Sequence, residues 1–364
     1  MSPLVNLKKR VLFLSFVGSN YSRSSTILNA NSGKFQKEFQ KLSPRFHKAF
    51  VDVYKQRKIM RTASCIVIMS PCHMLAPIVK ILVRRPVVLD AGWALTDGQL
   101  SRGTNIVQLI RIFKIYLVDL LAFHFADLIF LESRAQVKRS KRNFIIAESK
   151  LHVSLTGLNE NCFEKEDIKS ELINEIDKKL SKLNNNLIVL FRGKVNNESG
   201  FEYICDAAQQ LEKKVSFIFL LGNSDMWRTL PPNVVSISGI SNNELKQIYG
   251  IADVAVGQIS NHRRLRYTIP HKAFEAGYFA KPYISADNPG IREFLDTEDA
   301  VYINQPFTNG LVSAIQELSN LHSRKFYASQ IRRKYKTKAS QFTINQNFEF
   351  ILENLINSRS NKGD

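Results

Sequence analysis

The chain of 364 residues is 44% hydrophobic and 23% charged, which suits two domains of ordinary size, each burying its own core. Its formal charge of +19 is divided unevenly: residues 1–150 hold 25 Lys and Arg against 8 Asp and Glu, and the other 214 hold 26 against 24. No apolar stretch approaches the ~20 residues of a membrane span, no Asp-x-Asp or spaced metal-ligand cluster occurs, and the scattered Cys65, Cys72, Cys162 and Cys205 form no Cys-x-x-Cys.

In chain order, residues 11–17 (VLFLSFV) follow Lys8, Lys9 and Arg10. The run is short and no cleavage site follows it, so it is predicted as a first Rossmann strand turning at Gly18. With no secretory signal, the cysteines are expected to stay reduced in a cytoplasm. Phe35, Phe39, Phe46, Phe50 and Tyr54 fall at near-helical spacing. That spacing suits an interfacial amphipathic helix, or, for most of those rings, core packing. Residues 65–70 (CIVIMS), 87–90 (VVLD) and 126–133 (ADLIFLES) read as further strands. Residues 105–125 carry helical periodicity broken by Arg111, Lys114 and Asp119, an amphipathic helix and not a span. Residues 151–158 (LHVSLTGL) are a strand and turn leading to a domain boundary placed at 161–169, where polar residues replace apolar ones.

The second half opens with residues 187–191 (LIVLF), a buried parallel strand. Gly193 and Lys194 follow, and a helix is predicted after Gly200. A strand, a glycine turn and a helix N-terminus together form a phosphate-binding geometry. Residues 217–222 (FIFLLG), 235–241 (VSISGIS) and 252–256 (ADVAV) read as the next strands, with a helix starting at Asn243. Residues 268–293 (TIPHKAFEAGYFAKPYISADNPGIRE) are the most informative segment. Pro270 suits a first helical turn. The helix carries Lys272 and Glu275 among small residues and ends near Gly277 and Ala280. Lys281-Pro282 opens a short strand, and Asn288-Pro289-Gly290 turns out of it.

Taken together, this half resembles the donor-binding half of GT-B glycosyltransferases, most nearly the retaining family 4, whose pattern runs roughly P-x-K-x-x-E-x-x-x-x-G-K-P-V-I-x-x-D-x-G-x-x-E. The resemblance is ordered over about half the chain. It implies an α/β fold of two Rossmann-like domains facing each other across a cleft. Residues 1–160 would bind the acceptor and residues 161–335 the nucleotide-sugar. Residues 336–364 would form a C-terminal helix and tail, the helix packing back toward the first domain.

The resemblance also implies roles. Glu275 matches the second glutamate of the family's Glu-x7-Glu motif, whose carboxylate accepts from the ribose hydroxyls. The first glutamate is Tyr267 here, and His271 or the backbone of Thr268 and Ile269 is the candidate replacement. Lys194 matches the cation that stabilises the departing nucleoside diphosphate. The family's second cation is Ser199, leaving Arg192, Lys272 or one of Arg263, Arg264 and Arg266 to supply the charge. Donor contacts are therefore expected from Gly18, Arg192, Gly193, Lys194, Gly222, Arg266, Thr268, Pro270, His271, Lys272 and Glu275. His73 and Asp90, both at carboxyl ends of strands, are candidates to orient the acceptor hydroxyl or touch the donor sugar. No metal is expected, and no cofactor, since the nucleotide-sugar is consumed as substrate.

The basic first half implies an anionic partner. A membrane surface carrying a lipid-linked glycan acceptor is expected, placing the protein at the inner face of a plasma membrane, in cell-surface polysaccharide synthesis. Nucleic acid is not expected, because no reading element accompanies the charge. A sugar-nucleotide 2-epimerase of similar fold, and a non-catalytic GT-B binding protein, remain the alternatives.

Overall fold

The computed structural model describes residues 8–360 except 20, 32, 101–104, 165–169, 184, 186 and 223–228. Part of the predicted boundary segment (165–169) and the end of the tail (361–364) therefore lie outside the described residues. The chain folds as two compact units, Met1–Asn159 with Gln341–Asp364, and Glu160–Ser340.

The first unit alternates strand and helix: β1 (Lys9–Ser15), α1 (Ser22–Leu28), β2 (Phe35–Lys41), α2 (Phe46–Met60), β3 (Cys65–Met69), α3 (Leu75–Val83), β4 (Val87–Gly92), α4 (Leu95–Leu100), α5 (Ile106–Phe125), β5 (Leu128–Leu131), α6 (Arg134–Phe144) and β6 (Leu151–Val153). All six strands run parallel in the order β2-β1-β3-β4-β5-β6. The apolar runs are continuous because helices cover both faces of such a sheet. One face packs Leu12, Ile66, Ile68 and Leu89 against α2, α3 and α5. The other packs Val11, Phe13, Val67 and Phe130.

The spacing of five aromatic rings divides between two elements. Phe35 and Phe39 lie on β2, with Phe35 buried and Phe39 packed on the core, whereas Phe46, Phe50 and Tyr54 lie on α2 and are exposed. A single helix over all five is therefore incorrect. A spacing of four returns to the same face in a strand as well as in a helix, so periodicity could not separate them. Asn105 caps α5 by accepting from the Gln108 amide while the Gln108 side chain accepts from its own, a reciprocal capping box.

The second unit holds α7 (Glu171–Leu183), β7 (Leu187–Gly193), α8 (Phe201–Gln210), β8 (Val215–Leu221), β9 (Val234–Ile237), α9 (Asn242–Ile251), β10 (Val254–Val256), α10 (His271–Tyr278), β11 (Tyr283–Ala286), α11 (Pro289–Arg292), β12 (Val301–Ile303), α12 (Phe307–Glu317) and α13 (Leu321–Lys338). Its six parallel strands run β12-β11-β10-β7-β8-β9. The last helix, α14 (Gln341–Ser360), belongs to the first unit. Its Phe348 lies against Phe13 and Phe130 at ring distances of 6.3 and 4.6 Å.

Each sheet reverses its winding once, between β1 and β3 in the first unit and between β7 and β10 in the second. The helices diverge there, opening a crevice beyond the carboxyl ends of the strands. That is the place to look for a site.

Candidate functional site

In the second unit a cavity of about 570 Å³ opens at this reversal. It is lined by Arg192, Gly193 and Lys194 after β7, Leu220 to Gly222 at the end of β8, Ile237 to Ile240 at the end of β9, Gln258 beyond β10, and Pro270, His271 and Lys272 at the start of α10. Parallel strands bring these ends together because every β-α crossover returns the chain to the same edge.

Beside the cavity, on α10, is a buried carboxylate. Glu275 is fully buried and in the second turn of the helix. Its Oε1 accepts from Arg192 Nη1 and lies 3.1 Å from His271 Nδ1, and its Oε2 accepts from Tyr249 at 3.0 Å. Burial by itself would raise this carboxyl, but the His271 hydrogen bond and the Arg192 charge hold it down at about 2. Lys272, one turn earlier, is also buried. Its Nζ lies 4.3 Å over the Phe191 ring and donates to Gln258 Oε1 at 3.1 Å and Gly257 O at 3.4 Å. Burial lowers its pKa to about 7, despite the opposing pull of Glu275. Gly193 makes room for it, since a β-carbon there would stand 3.0 Å from Nζ. Lys194 differs from both. It is exposed and makes no ion pair with a described residue.

Of the residues expected at a donor, Arg192, Gly193, Lys194, Gly222, Pro270, His271 and Lys272 line this cavity and Glu275 backs it. Arg266 and Thr268 do not line it. Arg266 is exposed on the 3₁₀ turn Arg263–Arg266, and Thr268 donates to the Arg264 carbonyl. None of Arg263, Arg264 and Arg266, offered as sources of the second charge, lines the cavity, and Arg264 is paired with Glu198 at 3.2 Å. Ser199, where the family has its second cation, is buried in a turn on Asn196, its hydroxyl donating to the Asn196 carbonyl at 2.7 Å. Of the cations offered in its place, Arg192 and Lys272 line the cavity.

The predicted phosphate-binding helix N-terminus needs the same revision. Gly200, capping α8 at φ 61°, packs so closely on residue 259 that a β-carbon would meet the Ile259 carbonyl at 1.8 Å. That end does not line the cavity, and the helix N-terminus that does is that of α10.

The remaining candidates lie in the first unit, around its own winding reversal. Gly18 is exposed in the turn after β1, its carbonyl accepting from the Tyr21 amide. His73 and Asp90 are completely buried. His73 Nδ1 lies 3.0 Å from Asp119 Oδ1, and Asp119 Oδ2 accepts from the Thr96 amide and hydroxyl at 2.8 and 2.6 Å. Asp90 Oδ1 accepts from Arg23 Nε and Nη2 at 2.8 and 2.6 Å. Burial raises the Asp90 carboxyl above its ordinary value, only partly opposed by Arg23 and nearby His73. Neither side chain presents a polar atom to solvent. Arg23, Tyr249 and the loop at 237–240 went unrecognised in the sequence. Arg23 pairs 67 residues away and Tyr249 reaches Glu275 across 26, so no local spacing marks them. Among the described residues, no group of three His, Cys, Asp or Glu side chains is placed to hold a metal ion.

No protein-family model matches the chain. No curated protein matches it either. Solved structures do. Anabaena HepE in complex with UDP-glucose superposes with a TM-score of 0.70 at 15% identity, over 95% of this chain and 99% of that one. A glycosyltransferase from Rickettsia africae gives 0.65 at 12% identity over 96% and 99%. A trehalose 6-phosphate synthase from Burkholderia multivorans gives 0.65 at 8% over 97% and 99%. At these identities the likeness establishes the fold: the chain has the GT-B architecture of glycosyltransferases.

Proposed function

We propose that the chain transfers a sugar from a nucleoside diphosphate sugar to a glycan acceptor, with the diphosphate bound in the cavity of the second unit. The observation that carries this is the convergence of Lys194, Lys272 and the α10 N-terminus on one cavity beyond the strand ends. A departing nucleoside diphosphate needs fixed positive charge and free N–H groups, and these are the groups collected there. Lys194, which makes no ion pair with a described residue, closes on the leaving group. Lys272, buried with its pKa lowered to about 7, is only partly charged at neutral pH and gains its full charge when an anion arrives. Glu275 is committed to Arg192, Tyr249 and His271, so it acts chiefly by fixing the α10 end and the Arg192 guanidinium, with the remaining lone pairs available to a ribose hydroxyl.

HepE is described with UDP-glucose and UDP, and a UDP-sugar is the donor we propose to test first. Retention of configuration, protein cations in place of a metal ion and a lipid-linked acceptor met at a membrane surface complete the reading. Supporting the last point, the excess charge lies in the first half of the chain, and among the described residues no helix is long and apolar enough to cross a membrane. The test is a thermal-shift and calorimetric screen of UDP-, GDP-, ADP- and CMP-sugars. A true donor at 100 times its dissociation constant adds roughly 2.7 kcal/mol of stability. Stabilisation by none of them overturns the proposal and favours a non-catalytic protein.

A further inference from the structure

The first unit exposes an apolar helix face that the described residues of its own fold do not cover. On α5, Ile106, Ile110, Phe113, Leu117 and Leu121 recur at intervals of four, three, four and four, one stripe of the helix, and each is between 40 and 79% exposed. Alongside, α2 exposes Phe46, Phe50 and Tyr54 at intervals of four. α3 lies between the two helices, with Ile81 exposed. A cavity of about 380 Å³, lined by Phe46, Phe50, Ile78, Ile81, Val118 and Leu121 among others, joins the two stripes into one face. Scattered exposed apolar residues are ordinary, but a contiguous face of this kind marks an interaction surface.

Charge selects the occupant. The exposed polar positions of α2 and α5 include Lys48, Lys55, Lys58, Arg111 and Lys114, none of which makes an ion pair with a described residue. The only acidic residues on α2, α3 and α5 are Asp52 and Asp119, and Asp119 is buried. An apolar stripe flanked by uncompensated lysine and arginine is complementary to a surface with anionic groups outside and hydrocarbon beneath. A protein partner would need acidic groups arranged around the same stripe, and a bilayer supplies both layers without specific design. We propose that the α2–α3–α5 face seats on an anionic lipid bilayer, with the α5 stripe, Phe46 and Phe50 among the acyl chains and the lysines at the phosphates. The surface rests, for its purpose, on the proposed use of a lipid-linked acceptor.

The experiment is vesicle co-sedimentation of the full chain with phosphatidylglycerol-containing and pure phosphatidylcholine vesicles. Three proteins are compared: parent, Ile110→Asp/Phe113→Asp and Lys55→Glu/Lys114→Glu. All four side chains are exposed, so the variants should fold, and circular dichroism with UDP-induced thermal shift verifies this. The parent should sediment with the anionic vesicles only. Each double variant should lose at least tenfold in partitioning while its UDP shift matches the parent's. Parent-like partitioning by both variants, or equal binding of the parent to neutral vesicles, overturns the proposal. So does concentration-dependent self-association that the aspartate variant abolishes in the absence of vesicle binding, which would make the face a contact between copies. Salt-sensitive binding to RNA in place of vesicles overturns it as well. A failed UDP shift with intact vesicle binding would instead strike the donor assignment and leave this surface standing.

Discussion

Replacing Glu275 by glutamine keeps the size of the side chain and removes its charge. In the parent the carboxylate is fully buried and held by Arg192, His271 and Tyr249, which depresses its pKa from 4.5 to about 2. A shift of that size corresponds to about 3 kcal/mol of folding stability. Since the folded value lies below the unfolded one, the contribution is fully present above pH 4.5 and is lost as the pH falls toward 2. In the variant, Arg192 loses its counter-charge and an amide N–H₂ is pressed against donors. Lys272 limits the damage: with a pKa already about 7, it can release its proton at small cost. The expected loss at pH 7 is therefore about 3 kcal/mol, at the lower end of what breaking a buried pair costs. Urea denaturation of both proteins at pH 7 and at pH 3 measures it. The gap between parent and variant should narrow at pH 3, where the parent carboxylate is being protonated on unfolding. Equal midpoints at pH 7, or a gap that stays constant with pH, would refute the assignment of Glu275 as a charged anchor of α10.

Three other outcomes follow from the same geometry. Lys194→Ala, at an exposed side chain with no ion pair among the described residues, should leave thermal stability unchanged and cut turnover at least tenfold, about 1.4 kcal/mol of transition-state stabilisation; unchanged turnover with a verified donor removes Lys194 from the mechanism. A bound diphosphate should raise the pKa of Lys272 from about 7, so affinity for UDP should fall by about fivefold or more as the pH rises from 7 to 9, and Lys272→Met should abolish that dependence; calorimetry showing a flat parent profile contradicts the role. Gly200→Ala places a β-carbon on the Ile259 carbonyl at positive φ and should destabilise the chain by about 2 kcal/mol or more; a melting temperature equal to the parent's would show that the close approach at Ile259 relaxes freely.

What the sequence by itself determined was the series of elements. Parallel strands buried on both faces must be apolar throughout, so LIVLF in β7 and CIVIM in β3 declare themselves without knowledge of their neighbours. Local rules likewise placed α10 behind Pro270, because proline preference acts within one turn, and helical periodicity placed α5 over 105–125. Individual cavity residues, Lys194, His271 and Lys272, were legible through their resemblance to a known motif and their position after strand ends. The tertiary structure decided who pairs with whom. Arg192 meets Glu275 across 83 residues and Arg23 meets Asp90 across 67, contacts that depend on strand order and leave no local trace. It decided that His73 and Asp90, which looked available at strand ends, are sealed by Asp119 and Arg23. It also decided which helix N-terminus lines the cavity: that of α10 does, whereas the start of α8 does not, its Gly200 packing on the Ile259 carbonyl 59 residues on. Propensity and capping are short-range and are written along the chain. Burial and charge pairing arise where distant segments converge, and folding sets them.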